Sequence, residues 1–152
     1  MILKSKIEQC ELHLDRLNFA FSKIKSYYPF DAKHFPLKNY DDLAYLDMFT
    51  MRFAKLQDYM GEKLFPAVLN VLGNTHESLS YIDTLNALEK NHILESAAKW
   101  KDIRNLRNKI SHEYPNCYEE QCRTLNQIMD SFHYLENTLN TIKIKLIEID
   151  SQ

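Results

Sequence analysis

Apolar residues recur at alternating spacings of four and three along the first 28 residues of the chain, and most positions between them are polar or charged. This heptad pattern predicts a long amphipathic helix that continues to Pro29 and buries one narrow stripe against other helices. The stripe consists of Leu3, Ile7, Cys10, Leu14, Leu17, Phe21, Ile24 and Tyr28.

A second heptad stripe occupies the other end of the chain. It follows a capping box at Asn116 and Glu119, and it predicts one continuous helix. Long stripes at both ends predict an antiparallel up-and-down helical bundle. The members of the second stripe are Tyr118, Cys122, Leu125, Met129, Phe132, Leu135, Leu139, Ile142, Leu146 and Ile149.

The middle of the chain predicts two further main helices and one short helix. Asn39 or Asp41 can cap the first of these, and Pro66 predicts a kink or restart within it. A stop signal at Gly73 ends it. The expected bounds of the three helices are Asp41 to Gly73, Asp83 to His92, and Glu95 to Pro115.

Composition supports this all-α prediction. The chain has 152 residues, of which only 2 are Gly and 4 are Pro, so few tight turns are available. This length and the apolar fraction of 45% predict one domain over residues 1–152. Three cysteines without CxxC spacing fit a reducing cytoplasm and no zinc site. We see no signal peptide and no apolar run long enough to span a membrane.

A half-apolar second face lies on the helix that follows Asp41. It carries Tyr45, Met48, Arg52 and Tyr59, outside the main apolar stripe. Such a face can meet a partner protein. Contact with another helix of the same chain explains it equally well.

Charge is distributed unevenly, although the formal net charge is only −2. Residues 99–109 carry five cations against the single carboxylate of Asp102. This basic patch suits one anionic ligand better than a general polyanion-binding surface. Its cations are Lys99, Lys101, Arg104, Arg107 and Lys109.

Arg107 falls on the apolar stripe of its own helix. At ~100° per residue it lies close in angle to Trp100 and Tyr114. A guanidinium there is costly unless it is paired or faces a polar cleft, so an inter-helix salt bridge is one explanation. His112 lies about 140° further round, so one straight helix does not bring both side chains to one face. They converge if the last turn loosens, or if two copies of the helix meet.

The residue types around Arg107 suit the cleavage of RNA without a metal. An imidazole can move protons near neutral pH, and a guanidinium can stabilise the charge of a phosphorane. Asn108 can orient either group. A metal site at Glu89-x-x-His92 is disfavoured, because a di-iron bundle needs a second such pair and the sequence has none.

Residues 107–114, with the sequence RNKISHEY, resemble the R-N-x3-H-x-Y motif of the HEPN superfamily, in particular the HepT-like toxins of HEPN/MNT modules. The resemblance implies an HEPN-like bundle that acts as a metal-independent endoribonuclease toxin, without a cofactor. Its site would form across a homodimer, with Arg107 and His112 catalytic and Asn108 supporting them. Tyr114 would be the target of adenylylation by a cognate minimal nucleotidyltransferase, which acts as the antitoxin.

The same resemblance predicts that basic residues beside the motif bind the RNA substrate, namely Lys99, Lys101, Arg104 and Lys109. Two alternatives remain open at this point. One is a non-catalytic, substrate-binding or antitoxin-like partner subunit of a minimal nucleotidyltransferase. The other is a structural bundle in which Arg107 forms a salt bridge.

Overall fold

The computed structural model describes residues 2–35, 38–73, 79–110 and 118–150. Within these ranges all regular structure is helical and no strand occurs, which confirms the all-helical prediction. A 3-10 turn (Lys25–Tyr27) follows the first helix, and a π-helical segment (Met60–Leu64) joins the second to the third. The α-helices are α1 (Ile2–Ile24), α2 (Tyr40–Tyr59), α3 (Phe65–Val71), α4 (Tyr81–Lys90), α5 (Ala97–Ile110), α6 (Tyr118–Ser131) and α7 (His133–Asp150).

Helices α1 and α2 pack against each other in opposite directions. Phe19 meets Tyr45 with ring centroids 5.9 Å apart, and His13 meets Arg52 nearer the other end of the pair. Tyr45 and Arg52 belong to the half-apolar face of α2, and both contact α1. The explanation by contact within the chain is therefore correct for these side chains.

Aromatic rings fill the centre of the core. Phe132 lies 4.9 Å from Phe21 and 5.3 Å from Phe49, between centroids, and so joins α1, α2 and the C-terminal helices. Near α5, the rings of Trp100 and Phe65 are 4.5 Å apart. Burying one such side chain is worth about 1.5–3 kcal/mol, so these contacts fix how the helices pack.

The first helix ends earlier than the sequence predicts. It stops at Ile24, and the 3-10 turn replaces its last turn. Tyr28 leaves the stripe and is 44% exposed, with its hydroxyl bonded to the carboxylate of Asp130. Downstream, Asn126 holds the backbone of Phe30 by two bonds, of 2.7 Å to its N–H and 2.9 Å to its carbonyl. Because these contacts hold Tyr28 and Phe30 against α6, the chain does not continue as a helix.

The C-terminal stripe is divided between two helices, so the prediction of one continuous helix is wrong at Phe132. The stripe itself persists across the break, and Met129 and Leu135 on either side are buried. The hydroxyl of Ser131 donates to the carbonyl of Gln127 over 2.6 Å. The N–H of Phe132 still donates to Ile128 over 2.9 Å, and that of Leu135 donates to Phe132, three residues back, over 3.0 Å. A tighter turn without Gly or Pro therefore separates α6 from α7.

Pro66 produces the predicted restart through the π-helical segment. The N–H of Phe65 donates to the carbonyl of Met60, five residues back, instead of four. Pro66 has no N–H, and its ring would crowd the carbonyl of Glu62 in a regular α-helix. The wider turn relieves that contact.

At the start of α2, Asn39 caps the helix by accepting from the N–H groups of Asp41 and Asp42.

Helix α4 ends in a Schellman motif with a histidine at the left-handed position. His92 has φ of 60°. The N–H of Ile93 donates to the carbonyl of Leu88 over 2.9 Å, and that of His92 donates to Glu89 over 3.0 Å. Ile93 is buried beyond the turn. This motif usually places glycine where His92 stands.

Two predicted helix boundaries lie outside the described residues: the end of α5 at Pro115 and the capping box at Asn116. Among the helices that are described, none has the length and apolar character needed to cross a membrane.

We expect His92→Gly to stabilise the protein by roughly 0.5–1 kcal/mol, because it removes the cost of a side chain at positive φ. Chemical denaturation followed by circular dichroism measures the change. Lys90→Gly, two residues earlier within α4, is the matched control and should destabilise the fold. Equal losses in both variants would contradict the Schellman assignment.

Candidate functional site

Arg107 lies in the last turn of α5 and is bound to Asp58 near the end of α2. Its Nε donates to Oδ1 over 2.7 Å, and its Nη2 donates to Oδ2 over 2.8 Å. The pair is bidentate, the geometry in which guanidinium and carboxylate bind most specifically. The hydrogen bonds to Asp58 raise the pKa of Arg107, and the nearby charge of Glu62 acts in the same direction.

This ion pair explains how a guanidinium is tolerated on the apolar stripe of α5. The side chains of Arg107 and Asp58 are 25% and 36% exposed, so the pair sits at the edge of the core. The inter-helix salt bridge considered from the sequence is therefore present. Sequence reasoning missed Asp58, because a carboxylate beside the stripe of α2 looks like any solvated position.

Tyr81, the first residue of α4, forms a second layer beside the ion pair. Its hydroxyl oxygen accepts from the indole N–H of Trp100 over 2.7 Å, and buried Gln57 also bonds to it. The guanidinium of Arg104 lies 4.1 Å from its ring centroid, a cation–π contact. Burial raises the pKa of Tyr81, so the phenol stays neutral.

Gly61 lets Tyr81 approach the π-helical segment closely. A Cβ at Gly61 would lie 3.0 Å from the hydroxyl oxygen of Tyr81 and 3.3 Å from a ring carbon. Both distances are tighter than ordinary contacts. The absence of a side chain at Gly61 therefore decides where Tyr81 and its partner Trp100 sit.

The cations expected to bind RNA do not share one face of α5. Arg104 contacts Tyr81 of α4, whereas Lys99 lies 4.9 Å from the ring centroid of Tyr134 in α7. Lys99 also approaches Glu95 at 3.7 Å. The patch that looks continuous in the sequence is thus divided between two sides of the helix.

The remaining basic positions follow the same division. Lys101 is half-buried and lies about 60° from Arg104 around α5, whereas Lys109 lies about 140° away. Asn108 is exposed in the last turn, about 40° from Arg104. Lys101, Arg104 and Asn108 therefore lie on one flank of α5, and Arg107 lies about 60° from Arg104 on the other side.

His112 and Tyr114 lie outside the described residues. The structure places Arg107 and Asn108 of the motif, and α5 is described as far as Ile110. The predicted pairing of Arg107 with His112 across two copies stays a prediction.

The minor candidates from the sequence have structural explanations. Glu89 accepts from the N–H of Ala97 over 3.1 Å and so caps α5. In the described ranges no group of three or more His, Cys, Asp or Glu side chains is placed to hold a metal ion. Burial raises the pKa of Cys10 to about 12, which makes its thiol a poor nucleophile at neutral pH. Cys122 is buried as well.

A second polar cluster, which sequence reasoning did not identify, lies between α1 and α2. His13 is 7% exposed, and its Nδ1 accepts from Nη1 of Arg52 over 3.1 Å. Because a guanidinium can only donate, the imidazole is neutral. Its Nε2 lies 3.1 Å from the side-chain nitrogen of Gln9. The ring of Tyr59 packs beside it at 6.3 Å.

Positive charge surrounds this histidine. Burial lowers the pKa of His13, and the cations Arg52, Lys55 and Arg16 lower it further. No ion pair to a carboxylate is present for any of these three cations in the described part of the chain. We name Arg16, Arg52 and Lys55 the α1–α2 cationic cluster.

No family model, curated protein or solved structure matches the chain. The candidate site is thus defined by its own residues: the Arg107–Asp58 pair, the Tyr81–Trp100 layer and the motif that continues to Tyr114.

We expect Gly61→Ala to destabilise the fold by about 1–3 kcal/mol, because the added methyl group displaces Tyr81. Chemical denaturation measures the loss, and tryptophan fluorescence reports the changed environment of Trp100. Tyr81→Phe removes the closest contact, so the double variant should cost less than the sum of the two single variants. Strict additivity would show that the two residues do not touch.

The lowered pKa of His13 predicts a pH-dependent stability. In the unfolded chain the histidine titrates near 6.5. Below that pH the unfolded state binds the extra proton first, so stability is complete above 6.5 and falls as the pH drops towards the folded pKa. We expect His13→Gln to remove this part of the acid destabilisation and His34→Gln to retain it. Denaturation curves from pH 8 to 5 make the comparison, and parallel curves for all three proteins would contradict it.

Proposed function

We propose that this protein is a metal-independent endoribonuclease with an HEPN-like up-and-down bundle, whose site is shared by two copies of the chain. The observation that carries the proposal is the order of Arg107, Asn108, His112 and Tyr114 along the chain, together with the bond by which Asp58 holds the arginine. The exposed Asn108 and the cations on the same flank of α5 also support it.

The chemistry follows from the residue types. The imidazole of His112 takes the proton of a ribose 2′-hydroxyl, and the oxygen attacks the adjacent phosphorus. The bond from phosphorus to the 5′-oxygen breaks, and a protonated His112 of the other copy gives that oxygen its proton. A 2′,3′-cyclic phosphate and a 5′-hydroxyl result. The guanidinium of Arg107 stabilises the extra negative charge of the phosphorane.

Asp58 acts as a positioning residue in this scheme. Its two oxygens hold Nε and Nη2 of Arg107, which sets the plane of the guanidinium. A fixed plane reduces the reorganisation needed when charge develops on the phosphate. Asp58 touches no reacting atom.

A second copy supplies what one helix does not. Arg107 and His112 are about 140° apart on an ideal helix, and Arg107 faces α2 of its own chain. Two antiparallel copies of α5 would place Arg107 of one copy next to His112 of the other. The partner in the cell would be a minimal nucleotidyltransferase that adenylylates Tyr114 and thereby blocks the toxin, which would act in the cytoplasm.

The alternative is a non-catalytic, substrate-binding or antitoxin-like subunit of that nucleotidyltransferase. The Arg107–Asp58 pair by itself satisfies the electrostatic need of a guanidinium at the edge of the core, which agrees with this alternative and with the structural bundle alike. On this alternative, the complex with the nucleotidyltransferase forms but no RNA is cleaved.

We expect the purified protein to cleave single-stranded RNA in the presence of EDTA. His112→Ala and Arg107→Ala should each reduce kcat at least about 100-fold, because each removes transition-state stabilisation or proton transfer. Gel analysis of labelled RNA and identification of the cyclic phosphate end measure this. Lys90→Ala changes an exposed residue at the end of α4. It is the control and should cleave at the wild-type rate.

Charge exchange separates the catalytic role of Arg107 from its structural one. The double variant Asp58→Arg/Arg107→Asp keeps an ion pair between α2 and α5, so it should be more stable than either single variant. It should nevertheless remain inactive. Full activity of this double variant, or intact RNA with folded wild-type protein, would contradict the nuclease proposal.

A further inference from the structure

The α1–α2 cationic cluster is the feature that the proposed site leaves unexplained. Arg52 donates to the imidazole of His13 over 3.1 Å, Arg16 lies one turn after His13 on α1, and Lys55 lies one turn after Arg52 on α2. Like charges brought together raise the free energy of the fold unless a counterion joins them. Nothing in the described part of the chain supplies that counterion by an ion pair, although the chain as a whole is slightly acidic.

Arg52 is held in place rather than left to move freely in solvent. It is half-buried, and its Nη1 donates to Nδ1 of His13 over 3.1 Å. Because His13 is itself 7% exposed, the acceptor is rigid. No carboxylate offsets the charge of this guanidinium, in contrast to the pair of Arg107 with Asp58.

The cluster lies next to the proposed catalytic arginine. Along α2, Lys55 is one turn before Asp58, and Arg52 is one turn before Lys55. At ~1.5 Å per residue, Arg52 and Asp58 are about 9 Å apart along the axis. Lys55 lies about 60° in angle from each of them. Arg52 and Asp58 are therefore about 120° apart around α2. The positive charge of the cluster ends at Lys55, one turn before the ion pair of Asp58 with Arg107.

We propose that the α1–α2 cationic cluster binds the phosphodiester backbone of single-stranded RNA, which continues along α2 to the site at Arg107. This inference rests on the proposed function for the identity of the polyanion. Phosphate groups accept from guanidinium and ammonium donors, and they supply the missing negative charge.

Binding is tested with the full chain carrying His112→Ala, so that the RNA stays intact. Fluorescence anisotropy with a labelled single-stranded RNA of twelve nucleotides gives Kd at several salt concentrations. The added double variant Arg52→Gln/Lys55→Gln should weaken binding by roughly tenfold and should lower the slope of log K against log salt by about 1.4, or about 0.7 per lost contact. Lys25→Gln/Lys90→Gln removes the same charge elsewhere and should leave both quantities unchanged.

The single variant Lys55→Gln changes an exposed residue and is the control for misfolding. It should show about half of the slope change of the double variant, with an unchanged circular dichroism spectrum. A nuclear magnetic resonance titration of His13 gives an independent readout, because bound phosphate should raise its pKa towards the ordinary value. Inorganic phosphate at matched ionic strength is the comparison. If it raises the pKa as much as the RNA does, the cluster is a site for free phosphate and the proposal fails.

The two proposals fail separately. Wild-type cleavage with no difference between the cluster variant and its charge-matched control overturns the RNA path and leaves the nuclease intact. RNA binding that depends on Arg52 and Lys55, without any cleavage, overturns the nuclease and retains the RNA-binding surface.

Discussion

The ion pair between Arg107 and Asp58 is the constraint on which the arrangement around α5 depends. A guanidinium on the apolar stripe of a helix is tolerated only with a partner of opposite charge. Asp58 is that partner, and its bidentate geometry fixes both distance and rotation between α2 and α5. The ion pair with Asp58 stabilises the fold and also orients the guanidinium of Arg107. Stability and the proposed chemistry therefore depend on the same contact.

The π-helical segment between α2 and α3 supports this ion pair. Pro66 removes one backbone donor, and the π-helical segment that results widens the turn immediately after Asp58. Gly61 lies within that turn and admits Tyr81, which in turn receives the indole N–H of Trp100. The irregular backbone that Pro66 imposes thus allows Tyr81 and Trp100 to pack closely next to the ion pair. Such π-helical turns are frequent at functional sites.

Sequence reasoning located the helices well, because heptad periodicity reports burial directly. Leu17 and Leu139, from the two terminal stripes, are both buried as predicted. It failed at Phe132, where the helix breaks without any glycine or proline. Within the candidate site it identified Arg107 and the need for a partner. It had no means to choose Asp58, because pairing between helices depends on their packing and not on their spacing in the chain.

The amino-acid sequence by itself determined that the described chain is helical, which stripe of each helix is buried, and that the end of α5 concentrates polar chemistry before a proline. Periodicity and the scarcity of turn residues are local properties, so they can be read without a fold. Only the tertiary structure decided that the cations of α5 lie on different sides of the helix and that Arg16 and Arg52 meet around His13. Electrostatic neighbours are set by distance in space, and residues far apart in the chain become neighbours only when the helices pack.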